Sequence, residues 1–91
     1  MQHLKFDVGY QSAGAVVRVT LEGTEANVRL VDSFNYREYA AGRRHQCVGG
    51  HYKSSPAVLT VPHAAHWYVA VDYGAYAGRG RAAVQVIPAA S

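Results

Sequence analysis

Three side chains able to ligate a metal or act as nucleophiles stand close together in mid-chain: His45, Cys47 and His51, in a His-x-Cys-x3-His spacing. Such a set could hold a zinc ion, whose ligand bonds are about 2 Å long. The Gly49-Gly50 pair between them argues against it. A two-residue Gly-Gly loop between short runs predicts a tight hairpin pairing Val48 with His51, Cys47 with Tyr52 and Gln46 with Lys53. Faces alternate along a strand, so His45 and Cys47 point one way with Tyr52, and His51 points the other way with Arg44 and Lys53. Three ligands on two faces cannot meet at one ion, and His63 and His66 stand elsewhere in the chain. No metal and no cofactor are expected.

Cys47 and His45, i and i+2 on one strand face, are also the only thiol–imidazole pair so close in sequence. Covalent catalysis needs an orienting group and an oxyanion site besides, and no carboxylate lies near them in sequence. Cys47 is read as a small core hydrophobe, and no enzyme activity is expected. The run Gly74-Ala-Tyr-Ala-Gly78-Arg79-Gly80 has the glycines of a phosphate loop, but strands flank it on both sides and no Gly-Lys-Ser/Thr opens a helix. Turn geometry accounts for it.

A fourth feature points to binding. Tyr36, Arg37, Tyr39, Arg43, Arg44 and His51 gather around the one irregular stretch, and Tyr73, Tyr76 and Arg79 occupy a later loop. Aromatic faces with arginine forks stack on sugars, bases and protein side chains. Between Ser33 and Pro56, four cations (Arg37, Arg43, Arg44, Lys53) face one carboxylate, Glu38, within a chain of formal charge +3 and pI near 9.2. Arg43, Arg44, His51, Tyr36, Tyr39 and Arg79 are therefore the candidate contact residues. The plain reading of Arg43 and Arg44 is a solvated pair or a partner to a carboxylate such as Asp72. For Trp67 it is core burial.

The elements that position these residues follow from hydrophobic periodicity. The 91 residues suffice for one domain, 1–91, with a single thin core. Apolar residues make up 49% of the chain and thirteen of them are Val, against five Leu plus Ile, which favours strands. Period-two alternation places Leu4, Phe6 and Val8 on one face of a first strand, with Gly9 to Gly14 as its connection. Ala15, Val17, Val19 and Leu21 line a second strand. Gly23-Thr24-Glu25 reads as a short hairpin loop to a third, with Ala26, Val28 and Leu30 inward. Asp32 or Ser33 can cap a two-turn helix that Gly42 ends in the left-handed conformation. Further strands run over 57–61, 66–72 with Trp67, Val69 and Val71 on one face, and 81–87 with Ala82, Val84 and Val86 inward. Residues 88–91 read as a frayed tail. Seven or eight short strands with regular turn signals predict an all-β, antiparallel β-sandwich of jelly-roll-like topology with one short helix.

One cysteine excludes a disulfide framework. No apolar run reaches the ~20 residues of a membrane span, and the opening Met-Gln-His-Leu-Lys-Phe-Asp has no hydrophobic signal stretch, so a cytoplasmic location is expected.

Val28-Arg-Leu-Val-Asp32, Gly42-Arg-Arg-His45, Gly49-Gly-His51, Ser55-Pro56 and His66-Trp-Tyr-Val69 with Val71-Asp72, together with His3-Leu-Lys-Phe-Asp7 and Ala15-Val-Val17, resemble the bacterial family called domain of unknown function 1883 over residues 2 to 87. The resemblance implies a small all-β sandwich in cytoplasmic bacterial proteins, where such a domain sometimes precedes a TIR signalling domain. It carries over no catalytic residue. It marks Arg43, Arg44, His45, Gly49, Gly50 and His51, and the chain departs from the family pattern at Cys47 and Val48, where two aromatics are expected.

The expected function is a non-catalytic recognition or protein-interaction module, ligand-sensing by analogy with the TIR association. Its partner would be a protein or a small anionic ligand. Two readings stand beside it: a binder of an anionic nucleotide, nucleic acid or acidic glycan, with nucleic acid disfavoured by the small size of the basic patch, and a structural domain that forms a homo-oligomer.

Overall fold

The structure is a computed structural model, and it describes residues 3–23, 25–73 and 80–90. Seven strands and one helix follow in the order β1 (Leu4–Gln11), β2 (Val16–Gly23), β3 (Ala26–Asp32), α1 (Ser33–Ala40), β4 (Val48–Tyr52), β5 (Ala57–Thr60), β6 (Ala65–Asp72) and β7 (Gly80–Ile87). They form two antiparallel sheets, one ordered β1-β6-β3-β4 and the other β5-β2-β7. This is the two-sheet sandwich with one short helix that the alternation predicts.

Between the sheets the predicted inward residues meet. Val17 and Val19 of β2, Ala57 and Leu59 of β5, Val28 and Leu30 of β3 and Trp67, Val69 and Val71 of β6 form one buried cluster. Burying a side chain of this size stabilises the fold by roughly 1.5–3 kcal/mol. The tail is not wholly frayed: Ala89 packs against the cluster.

Three expectations about glycine are corrected. Gly23 to Glu25 does not close a hairpin, because β2 and β3 belong to different sheets and the connection crosses from one layer to the other. Alternation reports that a strand has a buried face, not which sheet carries it. Gly49-Gly50 is no turn either. Both lie within β4, opposite Arg29 and Val28 of β3. Gly49 has φ +115°, and a Cβ there would stand 2.2 Å from the Val28 carbonyl oxygen, so glycine serves close strand approach rather than reversal. The pairing of Val48, Cys47 and Gln46 with His51, Tyr52 and Lys53 falls with the hairpin. Finally, β1 continues past Gly9 to Gln11 through a register shift between Asp7 and Gly9. Gly9 takes φ +73° in this bulge, and its N–H donates to Asp7 Oδ1 at 2.8 Å.

Candidate functional site

The helix is built by its ends. Asp32 is its N-cap, with Oδ1 accepting from the Asn35 backbone N–H at 2.9 Å. At the other end Gly42 adopts φ +75°, its N–H donates to the Tyr39 carbonyl, and the Arg43 N–H donates to the Glu38 carbonyl at 2.8 Å. Those two bonds and the left-handed glycine make a Schellman cap. Two turns are too few to hold a helix alone, so α1 docks on the outer face of β3 and β6, where Val31 and Ala70 are fully buried.

The docking is polar at its centre. Asp72 of β6 is the one buried charged residue among the described residues, 2% exposed. Its carboxylate accepts from Asn27 Nδ2 at 2.9 Å and from the Tyr39 hydroxyl at 2.8 Å, and it pairs with Arg29. Burial pushes the Tyr39 hydroxyl pKa up, and the adjacent Asp72 charge adds to the shift. The Arg29 guanidinium also lies over the Tyr39 ring, 5.5 Å from its centroid.

These facts redistribute the predicted contact residues. Tyr39 is buried as the pin between helix and sheet, and is not a surface anchor. Arg43 is exposed, but its guanidinium grips Glu38 through Nε–Oε2 at 2.6 Å and a second bond at 3.2 Å. The carboxylate partner is thus Glu38, while Asp72 takes Arg29. Arg43 holds the Glu38 carboxyl below its ordinary value. Arg44 is exposed and makes no ion pair among the described residues. His51 lies on β4, its Nδ1 at 3.1 Å from Asn27 Oδ1 and its Nε2 at 3.4 Å from Glu25. No contact joins it to Arg43 or Arg44. Arg79 lies outside the described residues, as do Gly74 and Tyr76.

Tyr36 belongs to a different group. On the outer face of the four-stranded sheet, Lys5 Nζ sits 4.4 Å from the Tyr36 ring centroid and 4.6 Å from that of Tyr68. His3 Nε2 lies 2.9 Å from the Tyr36 hydroxyl, and His66 meets Asp7 at 2.7 Å. The Asp7 carboxyl is held below its ordinary value first by the Gly9 N–H and then by His66. The aromatic faces here are already occupied by the chain's own cation.

Concavity appears elsewhere. A cleft of about 270 Å³ opens at the N-terminal end of α1, lined by Asp32, Asn35, Gln46, Cys47, Val48, Pro62, His63 and Trp67. Asn35 Oδ1 accepts from the Gln46 N–H at 2.9 Å and so holds the 46–48 segment against the helix. The His63 ring lies tilted against Trp67 with centroids 5.0 Å apart, the His63 carbonyl accepts from Trp67 Nε1, and His63 Nε2 lies 3.5 Å from Asp32 Oδ2. Thiol, imidazole and carboxylate thus share one cleft, yet no hydrogen bond joins Cys47 to His63. No three His, Cys, Asp or Glu side chains among the described residues are grouped to hold a metal ion. Sequence reading singled out Cys47 but paired it with His45, whose ring instead packs edge-on against Tyr39 at 5.2 Å. The Asp32–His63 meeting crosses 31 positions, and only the strand order could reveal it.

Among the described residues no helix is long and apolar enough to cross a membrane. Compared with known proteins, the chain matches over residues 1–90 the family model described as domain of unknown function (DUF1883). No curated protein and no solved structure matches it.

Proposed function

We propose that this chain, which belongs to the DUF1883 family over nearly its whole length, is a non-catalytic recognition module. Its cleft at the N-terminus of α1 receives a polar side chain or small ligand. The observation that carries this reading is the convergence of Asp32, Asn35, Gln46 and His63 from three separate segments on one concavity walled by Trp67 and Val48. A few polar groups converging on an apolar-walled hollow is the usual form of a binding site. The volume is near the lower end for such sites, which suits one side chain of a partner protein. Asp32 is the one carboxylate among the described lining residues, and no Lys or Arg stands there, so the occupant is neutral or cationic. Ligand sensing in a cytoplasmic bacterial signalling protein, the setting implied by the TIR association, is part of this proposal.

The anionic reading keeps one specific support, the exposed Arg44, which makes no ion pair among the described residues. A single experiment separates the two. Titrating isotope-labelled protein with arginine amide and with pyrophosphate, amide by amide in NMR spectra, is expected to move Gln46, Cys47 and His63 with the cation. His63→Ala is expected to abolish the movement. Pyrophosphate shifts centred on Arg43 and Arg44, with none in the cleft, would replace the cleft reading by the anionic one.

A further inference from the structure

A sandwich of two open sheets has four edge strands, and exposed edges pair with other chains unless something blunts them. Three of the four here carry such a device. β1 is broken by the bulge at Asp7–Gly9 and carries Lys5 and Asp7 on its outer face. β4 is five residues long, with Gly49 at φ +115° inside it. β5 is four residues long, with Pro56 before it and Pro62 close behind.

β7 carries none. It pairs with β2 without a register shift from Gly80 opposite Gly23 to Ile87 opposite Val16. From Ala82 to Ile87 it holds no charge, proline or glycine. Every second residue of an antiparallel edge strand directs its N–H and C=O away from the sheet, so one side of β7 offers backbone that no strand among the described residues pairs. Beside that edge, a groove of about 640 Å³ opens between the two sheets, with Phe6 and Val8 of β1 on one wall and Val84 and Val86 of β7 on the other.

We infer that β7 pairs with β7 of a second copy, antiparallel about a two-fold axis, joining two three-stranded sheets into one of six. Its chemistry is self-complementary. A register centred on Val84 sets Ala82 of one copy opposite Val86 of the other and Ala83 opposite Gln85, so inward residues meet inward residues and no like charges oppose. Arg81, the only charge on the strand, falls at the end of the ladder, where Glu22 of β2 is its register neighbour within the chain. A cyclic two-fold contact is the commonest closed assembly and leaves no further β7 edge open.

The area sets the strength. Eight residues at about 3.4 Å each by the molecule's shortest extent of 16 Å give a flat face of roughly 430 Å² per copy, about half a standard interface. The dimer is therefore concentration-dependent and not obligate.

Sedimentation velocity on the whole chain across a wide concentration range tests this, with two variants on the exposed positions Ala83 and Gln85. Wild type is expected to pass from monomer to dimer as concentration rises. Ala83→Lys/Gln85→Lys places ammonium groups opposite each other twice and is expected to raise Kd at least tenfold. Ala83→Lys/Gln85→Glu places opposite charges there and is expected to restore dimerisation. Thermal melts of each variant at monomeric dilution confirm folding. A wild type that stays monomeric at millimolar concentration, or a dimer that the paired-lysine variant leaves intact, overturns the inference. In the first case the edge is open to a foreign strand, and in the second another surface joins the copies.

Discussion

The Tyr39 hydroxyl, on the last turn of α1, donates to Asp72 Oδ2 at the end of β6 across 33 positions of sequence. This bond, with Arg29 and Asn27 on the same carboxylate, fixes the helix that forms one wall of the cleft. The shape of the cleft thus depends on a residue outside its lining.

Removing the two ends of that bond has unequal effects. Tyr39→Phe deletes one hydrogen bond to a charged acceptor that keeps Asn27 and Arg29 among its partners, and is expected to cost about 1.5–3 kcal/mol. Asp72→Ala leaves the Arg29 guanidinium without its buried partner and is expected to cost about 3–5 kcal/mol. Urea midpoints of both variants check the order.

Gly49 and its neighbour make a paired test. Gly49→Ala forces a Cβ to within 2.2 Å of the Val28 carbonyl at a positive φ, while a Cβ at Gly50 meets nothing within 4 Å. We expect Gly49→Ala to lose more than about 2 kcal/mol through strain and strand separation, and Gly50→Ala to stay near wild type. Thermal melts of the two proteins decide it.

The helix cap gives a milder effect. Gly42→Ala keeps the chain but strains the left-handed position, at about 1 kcal/mol. Because the same turn holds Tyr39, hydrogen exchange of the last-turn amides is expected to speed up more than exchange in the strands.

Stability depends on pH at both ends. The folded pKa values of Asp7 and Glu38 lie below their ordinary 3.8 and 4.5. Each therefore stabilises fully above its unfolded value and loses that contribution as pH falls through the lower folded value. The urea midpoint should drop on acidification below about pH 4.5, and Asp7→Asn with Glu38→Gln should flatten the drop. Tyr39 shifts the other way, from an ordinary value of 10.0. Its contribution is complete below that pH and is lost as pH rises through its raised folded value. Tyr39→Phe is expected to remove this alkaline slope, read as urea midpoints against pH.

The strands were legible in the sequence because period-two burial is a local signal: Val17, Val19, Val28, Leu30, Trp67, Val69 and Val71 all face inward as the alternation requires. The helix ends were legible for the same reason, since Asp32 and Gly42 act within one turn of themselves. Strand partnership was not. Gly49-Gly50 has the composition of a turn, and only contact with Val28 shows why glycine is needed mid-strand. Arg43 found Glu38, five positions away on its own helix cap, rather than the distant Asp72. The cleft was hidden further still, because Asp32, Gln46 and His63 are neighbours only after β6 has been laid beside β3.

That strand order also bears on how the chain is made. β6 is the inner strand between β1 and β3, and β2 needs β7 on one flank. During synthesis the four-stranded sheet cannot close until residue 72 has left the ribosome, and the three-stranded sheet must wait for residue 87. Until β6 emerges, β1 and β3 have no common neighbour. A stop or cleavage before β7 therefore leaves β2 with β5 as its one sheet neighbour and uncovers the side of the core against which Ala82, Val84 and Val86 pack.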